Sequence, residues 1–393
     1  MSNRMAKAIY KNLLFCVINL LLIFSSKSNA ETISVYFGTA GDSADGIYSA
    51  SFDTATGLLT DINQAHTIEA PRFLTIHPKK NVLYSVAKIS NQPVVAAFNI
   101  HKNGNIELLN TVPIDDTDGT HVAVHPTGAF LLTAQYSGGS VGVFPLDTSG
   151  RLMQRSQLIK HVGAAMVNTD RQSSPHPHWV GFSPDGKYAF VPDLGLDQIL
   201  IYKINISEST LIEHARLNTA PGAGPRHMRF SINGKYIYVL NELNLTIATY
   251  DYHPEKGTAD LIANTNTLDN ETKDKELFNS ASEILVHPSG NYVYSGNRGN
   301  DSVSVFRAND QNGSLKAIEV EPIRGAWPRS IGIAPNGQWL FAAGMHSNTV
   351  AIFSINQNTG ELSFPKGSIY SVPEPVSIVF HQNDLTEQED HLK

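Results

Sequence analysis

Four short segments of this chain carry side chains able to hold an anion or move a proton. They are SPHPHW (174–179) with His176 and His178, GAGPRHM (222–228) with Arg226 and His227, LNEL (240–243) with Glu242, and NRGND (297–301) with Asn297 and Arg298. Arg72, Glu283 and Arg329 join them when the chain is aligned on its internal repeats. Guanidinium groups gathered in an otherwise acidic protein point to a bound anion or to an oxyanion that develops during a reaction, because their mutual repulsion is otherwise uncompensated. Imidazoles and carboxylates among them supply the groups that proton transfer needs. A competing reading makes the same arginines struts that pair with Glu242, Glu283 and Asp193 between repeats, with Asp193 and Asp197 bracing the PDLGLD loop. A metal held by His176, His178 and His227 is disfavoured by the neighbouring positive charge, and no metal or cofactor is expected. There is no Gly-x-Ser-x-Gly elbow, no His-Glu-x-x-His helix and no phosphate-cradling Walker loop.

The elements that must position these residues recur along the chain. RFLTIHPKKNVLYSVAK (72–88), THVAVHPTGAFLLTAQY (120–136), HWVGFSPDGKYAFVPDL (178–194), RHMRFSINGKYIYVLNE (226–242), SEILVHPSGNYVYSGNR (282–298) and RSIGIAPNGQWLFAAGM (329–345) align without a gap, and VSIVFHQND (376–384) repeats the first half. Each reads as an alternating strand, a tight turn and a second apolar strand, with two weaker strands following, repeated about every 50 residues. Four strands per unit at that period predict an all-β, seven-bladed β-propeller. Its last blade is completed by both chain ends, since residues 33–62 supply a second, third and fourth strand and 376–384 a first. Sharing a blade closes the ring and removes its exposed edges.

In the alignment, one column holds Arg72, Thr120, His178, Arg226, Ser282 and Arg329, and the next holds Phe73, His121, Trp179, His227, Glu283 and Ser330. Glu242 and Arg298 stand at the end of the second strand, opposite the start of the first. These columns therefore ring one mouth of the central channel, with the apolar remainder packed between blades. His77, His121, His125 and His287 are expected to serve as turn or inter-blade hydrogen bonders.

Residues 1–30 read as a secretory signal: Arg4, Lys7 and Lys11 precede the apolar run LLFCVINLLLIF (13–24), and Ser28-Asn29-Ala30 ends it as a small-x-small site. The propeller is expected over 31–383, with a disordered tail at 384–393, in the periplasm or secreted. Cys16, the only cysteine, lies within the signal, so the exported chain has no thiol for disulfides, zinc or nucleophilic catalysis. Losing four basic residues with the signal takes the formal charge from −7 to −11, which argues against nucleic acid and anionic membrane as partners. A monomer or weak homo-oligomer is expected.

SPHPHW with PDLGLD, GAGPRHM, YVLNEL, SEILVHPSGNYVYSGNRGND and GAWPRS together resemble the seven-bladed propeller lactonases, a family of bacterial 6-phosphogluconolactonases and fungal 3-carboxymuconate-cyclising enzymes. The resemblance spans nearly all of the chain after the signal. It implies metal-free hydrolysis of a sugar lactone, with His178, Arg226, Glu242 and Arg298 at the catalytic positions. Arg72, His176, His227, Glu283, Asn297 and Arg329 are the expected substrate-binding residues. Hydrolysis needs an activated water and a stabilised oxyanion, so Glu242 is expected to take the water proton, or His178 if Glu242 is held by an arginine. AQYSGGS (134–140) and GNRGND (296–301) depart from the family's usual runs. Two other readings use the same rim: an exported propeller that binds a carbohydrate or protein without catalysis, and a muconate cycloisomerase.

Overall fold

The computed structural model describes residues 31–41, 44 and 46–382. The expected signal segment and acidic tail lie outside the described residues. Seven antiparallel sheets surround a central channel. Glu69–Ile76, Val82–Ile89, Gln92–Ile100 and Ile106–Pro113 form the first blade, and His121–Val124, Phe130–Gln135, Ser140–Pro145 and Gln157–Lys160 the second. The third runs through Gly181–Phe182, Tyr188–Asp193, Gln198–Asn205 and Thr210–Asn218, and the fourth through Pro225–Phe230, Tyr236–Asn241, Thr246–His253 and Thr258–Asn266. Ser280–Val286, Tyr292–Arg298, Ser302–Ala308 and Leu315–Pro322 make the fifth, while Pro328–Ile333, Trp339–Gly344, Thr349–Ile355 and Leu362–Ser363 make the sixth, with Ile369–Ser371 added beside Thr349–Ile355. In the seventh, Pro375–His381 pairs with Thr32–Thr39, followed by Ile47–Asp53 and Leu58–His66. The ends of the described chain thus complete one blade, as the half-repeats require.

Alternation within each strand sends one face to each neighbouring blade. Seven apolar layers result, one at each blade contact; Tyr84, Val95, Leu131 and Phe144 fill one of them, and Phe52, Phe341 and Ile352 another. Fully burying each such side chain contributes about 1.5–3 kcal/mol. Polar ties repeat with the blades. Tyr36, Tyr84 and Tyr294 donate through their hydroxyls to the carbonyls of Gly104, Gly150 and Gly360. His125 and His287 meet the carbonyls of Gly186 and Gly337 through Nε2, at 2.9 and 2.8 Å. Trp339 Nε1 donates to the Thr54 carbonyl at 2.8 Å and so locks the sixth blade to the shared one.

One irregularity repeats and matters for the site. In six of the seven blades the pairing of the innermost strand slips where the rim column falls, between Glu69 and Phe73, Pro177 and Gly181, Pro225 and His227, Ala281 and Ile284, Pro328 and Ser330, and Pro375 and Ser377. Such bulges re-aim side chains. Consecutive residues of a regular strand face opposite ways, whereas here Arg226 and His227 line the same space, and so do Arg72 and Phe73.

Residues left over from the repeat divide in two. Gln157–Lys160 and Thr258–Asn266 are outer strands, while 161–175 and 267–279 are connections, the second containing the short helix Asn270–Lys273. Among the described residues no helix is long and apolar enough to cross a membrane.

Candidate active site

Glu242 follows the second strand of the fourth blade, its backbone N–H held by the Gly224 carbonyl at 2.7 Å. Its carboxylate is 3 % exposed and touches three guanidinium groups. Oε1 accepts a hydrogen bond from Arg171 Nη2 at 2.6 Å. Oε2 lies 2.9 Å from Arg226 Nε and 3.1 Å from Arg298 Nη2, contacts that are ion pairs off the hydrogen-bonding direction. Burial works to raise the Glu242 carboxyl, but the charges of Arg298, Arg226 and Arg171 outweigh it and hold the group well below the usual carboxylate range.

The arginines are fixed from behind. Arg226, itself buried, donates through Nη1 to the Ser282 carbonyl, and Arg298 donates to the Ala281 carbonyl at 2.8 Å while lying 5.6 Å from the centre of the Trp327 ring. Burial and the adjacent Arg298 push Arg226 down to about 9, which leaves it charged at neutral pH. Arg171 also donates to the Tyr136 hydroxyl at 3.2 Å.

These groups face a cavity of about 580 Å³, whose wall includes Tyr136, Arg171, His178, Glu242 and Arg298 together with Arg72, Asp118, Thr120 and Arg329. Arg72 pairs with Asp118 at 3.2 Å, and Lys88 shares that carboxylate at 2.8 Å. Four arginines against two carboxylates on this wall leave a positive surplus.

His178 is 6 % exposed, and its Nδ1 is buried without a partner. Burial, Arg226 and His227 lower its pKa well below the usual imidazole value, against the opposing pull of Glu242, so the ring is neutral at neutral pH. His227 is similarly lowered, by burial and by Arg226, Arg229, Arg298 and Arg329. Its Nδ1 sits 3.0 Å from Glu283 Oε1.

Of the ten residues expected at the mouth, His178, Arg226, Glu242, Arg298, Arg72 and Arg329 converge on the main cavity or the small crevice adjoining it. His227 lines that crevice, backed by Glu283. His176 stands aside: its ring stacks on Tyr136 at 4.3 Å and its Nδ1 meets the Tyr136 carbonyl at 2.9 Å, so it props the wall. Asn297 corrects the expectation made for it. Wholly buried, it donates to the Ser302 and Ser304 hydroxyls of its own blade, because it precedes Arg298 on a regular strand and therefore faces the other way.

Arg171, Tyr136 and Asp118 were not singled out by sequence. Arg171 comes from the 161–175 connection, which lies outside the aligned repeats and so has no column to flag it. Its signal was an arginine a few residues before His178. Two aspartates of PDLGLD hold this connection in place, in keeping with the bracing role expected of them. Asp193 accepts from the His176 N–H at 2.7 Å and meets His161 Nδ1 at 2.6 Å. Asp197, at a left-handed φ of 53°, accepts from Gln172 Nε2 at 2.6 Å and from the N–H groups of Gly222 and Gly224 at 2.6 and 2.8 Å. One carboxylate thereby fixes the neighbour of Arg171 and the loop leading into Arg226. Gly195 permits the close approach, since a Cβ there would meet the Ser174 carbonyl oxygen at 1.8 Å.

Among the described residues no group of three or more His, Cys, Asp or Glu could hold a metal ion. The arrangement can seat an anionic or carbonyl-bearing molecule, stabilise negative charge on oxygen, and accept a proton on a neutral imidazole.

Comparison with known proteins agrees with that chemistry. Residues 34–380 match the family described as lactonase, 7-bladed beta-propeller. A 6-phosphogluconolactonase of Bacillus subtilis is 34% identical over 350 residues, covering 88% of this chain and 98% of its own. One from Formosa agariphila is 32% identical over 298 residues, covering 74% and 82%. The structure of the periplasmic gluconolactonase of Pseudomonas aeruginosa superposes with a TM-score of 0.81 at 25% identity, over 89% of this chain and 99% of that one.

Proposed function

The chain belongs to the seven-bladed β-propeller lactonase family and is a lactonase, and from that premise we propose that it opens the ring of a sugar aldonolactone in the cationic cavity at the channel mouth. The observation that carries this reading is the placement of neutral His178 beside a carboxylate pinned by Arg171, Arg226 and Arg298 on the wall of that cavity. Glu242 is too weak a base when three guanidinium groups stabilise its anion, so water activation falls to His178. Glu242 instead fixes the arginines, and Arg298, with Arg226 behind it, faces the carbonyl oxygen as it becomes an oxyanion. Preorganised charge of this kind needs no reorganisation during the reaction.

Both phosphorylated and unphosphorylated aldonolactones fit a positive cavity. Export, as expected from residues 1–30, favours an unphosphorylated aldonolactone formed outside the cytoplasm by sugar oxidation, and the resemblance to a periplasmic gluconolactonase supports that choice. The test is proton release from glucono-1,5-lactone and its 6-phosphate, measured above the spontaneous rate with the chain lacking residues 1–30. Acceleration of the unphosphorylated lactone, lost by about 10²–10⁴-fold in His178→Ala, is the expected result for removal of a general base. No acceleration on either lactone, or full activity in His178→Ala, would contradict the proposal.

A further inference from the structure

Adjoining the main cavity is a crevice of about 30 Å³, room enough for a water molecule. The crevice shares Arg72, Thr120, His178 and Arg329 with the cavity, and Phe73, Arg226, His227 and Val376 complete its wall. Two imidazoles therefore meet there, their ring centres 5.2 Å apart.

The two differ in how they are held. His227 Nδ1 lies 3.0 Å from Glu283 Oε1, and an ionised carboxylate can only accept, so Nδ1 carries the hydrogen and Nε2 the lone pair. Glu283 is in turn fixed by Arg229 Nη2 and by the Ile284 N–H, each at 3.0 Å. The His227 ring is wedged between His121, at 5.4 Å, and Phe73, at 6.2 Å. His178 has no such carboxylate, and its Nδ1 is buried without a partner.

We propose that the attacking water of lactone hydrolysis sits in this crevice, with one hydrogen held by Nε2 of His227 and the other delivered to His178. The inference rests on lactone opening in the main cavity. Two acceptor nitrogens orient both hydrogens of the water, which leaves an oxygen lone pair to approach the carbonyl carbon. As the new C–O bond forms, the proton passes to His178 and the carbonyl π electrons move onto oxygen beside the arginines. Collapse then breaks the bond to the ring oxygen, which takes the proton back from His178. The product acid ionises to a carboxylate and releases one proton to solvent. His227 is a positioning residue for the water, and Glu283 fixes its tautomer.

The test is a steady-state comparison on glucono-1,5-lactone of the wild type, His227→Ala, His227→Gln and Thr120→Ile. His227→Ala should lose about 10²-fold in kcat with KM changed by less than about 3-fold, because ground-state binding is made elsewhere. His227→Gln, whose amide oxygen reaches the Nε2 position, should recover part of that loss. Thr120→Ile narrows the crevice while keeping both imidazoles in the chain and should lower kcat more than KM; it also carries the test if His227→Ala fails to fold. Unchanged kcat in the folded variants, or losses confined to KM, would overturn the placement of the water while leaving the wild-type lactonase reaction standing. Absence of wild-type acceleration on every lactone would overturn the proposed function and this inference together.

Discussion

Replacing Glu242 by glutamine removes the counter-ion of Arg171, Arg226 and Arg298 while keeping the side-chain shape. Arg226 and Arg298 are 2 % and 6 % exposed, so their charges cannot turn to water for compensation. Breaking a buried ion pair by removing one partner costs about 3–5 kcal/mol. At about 2 °C per kcal/mol for a chain of this length, that corresponds to a fall in Tm of about 6–10 °C. The sign of the pH dependence follows from the direction of the shift. Glu242 is held below its unfolded value, so its contribution is fully present above an unfolded pKa of about 4.3 and is lost as pH falls through the folded value. The gap in Tm between wild type and Glu242→Gln should therefore be constant near neutrality and close below about pH 4. Inorganic phosphate should raise the Tm of the variant by occupying the uncompensated guanidinium cluster, by about 2.7 kcal/mol at 100 times its Kd. Thermal scans at fixed rate, across pH and phosphate, supply every quantity. A variant with the wild-type Tm, the same acid slope and no response to phosphate would refute the claim that this carboxylate neutralises the three arginines.

Because burial and Arg226 lower His178, the acid limb of kcat/KM should lie below pH 6.5, where an ordinary imidazole base would already be protonated; a limb at or above that value would exclude His178 as the base. In Glu242→Gln the limb should move lower still, since the carboxylate that opposes the arginine field is gone. Arg171→Met should raise KM about 10-fold by removing a charge-assisted donor from the cavity wall, with little change in Tm because the side chain is partly exposed; unchanged kinetics would reduce the 161–175 connection to a strut. Ending the chain after Glu374 removes the innermost strand of the shared blade and exposes the edge of Thr32–Thr39, so soluble protein with a cooperative thermal transition should not be recovered.

The architecture was legible because the repeats align without gaps, and half-repeats at opposite ends have one sensible use. The rim columns were legible for the same reason: Arg72, Arg226 and Arg329 occupy equivalent positions and meet around one channel. What remained hidden has physical causes. Arg171 belongs to a connection outside the repeat, so periodicity carries no information about it. Asn297, expected at the mouth, is instead buried on Ser302 and Ser304 of its own blade, because a regular strand turns it away from the face that Arg298 presents. Glu242 was recognised by type, but whether it serves as base or counter-ion depends on how many guanidinium groups lie within about 3 Å, a fact of tertiary distance alone.

The slipped pairings of the innermost strands have a consequence for how such a protein can change. A residue at one of these slips stands outside the regular register of the ladder, so exchanging it leaves most inter-strand bonds intact. Threonine, histidine, serine, valine and arginine already share this position in the seven blades. The ring thus offers one exchangeable position per blade, and replacements there can retune what the funnel accepts while the ladders beneath keep their pairing, although Arg226 is tied to Glu242 and to the Ser282 carbonyl and moves only with them.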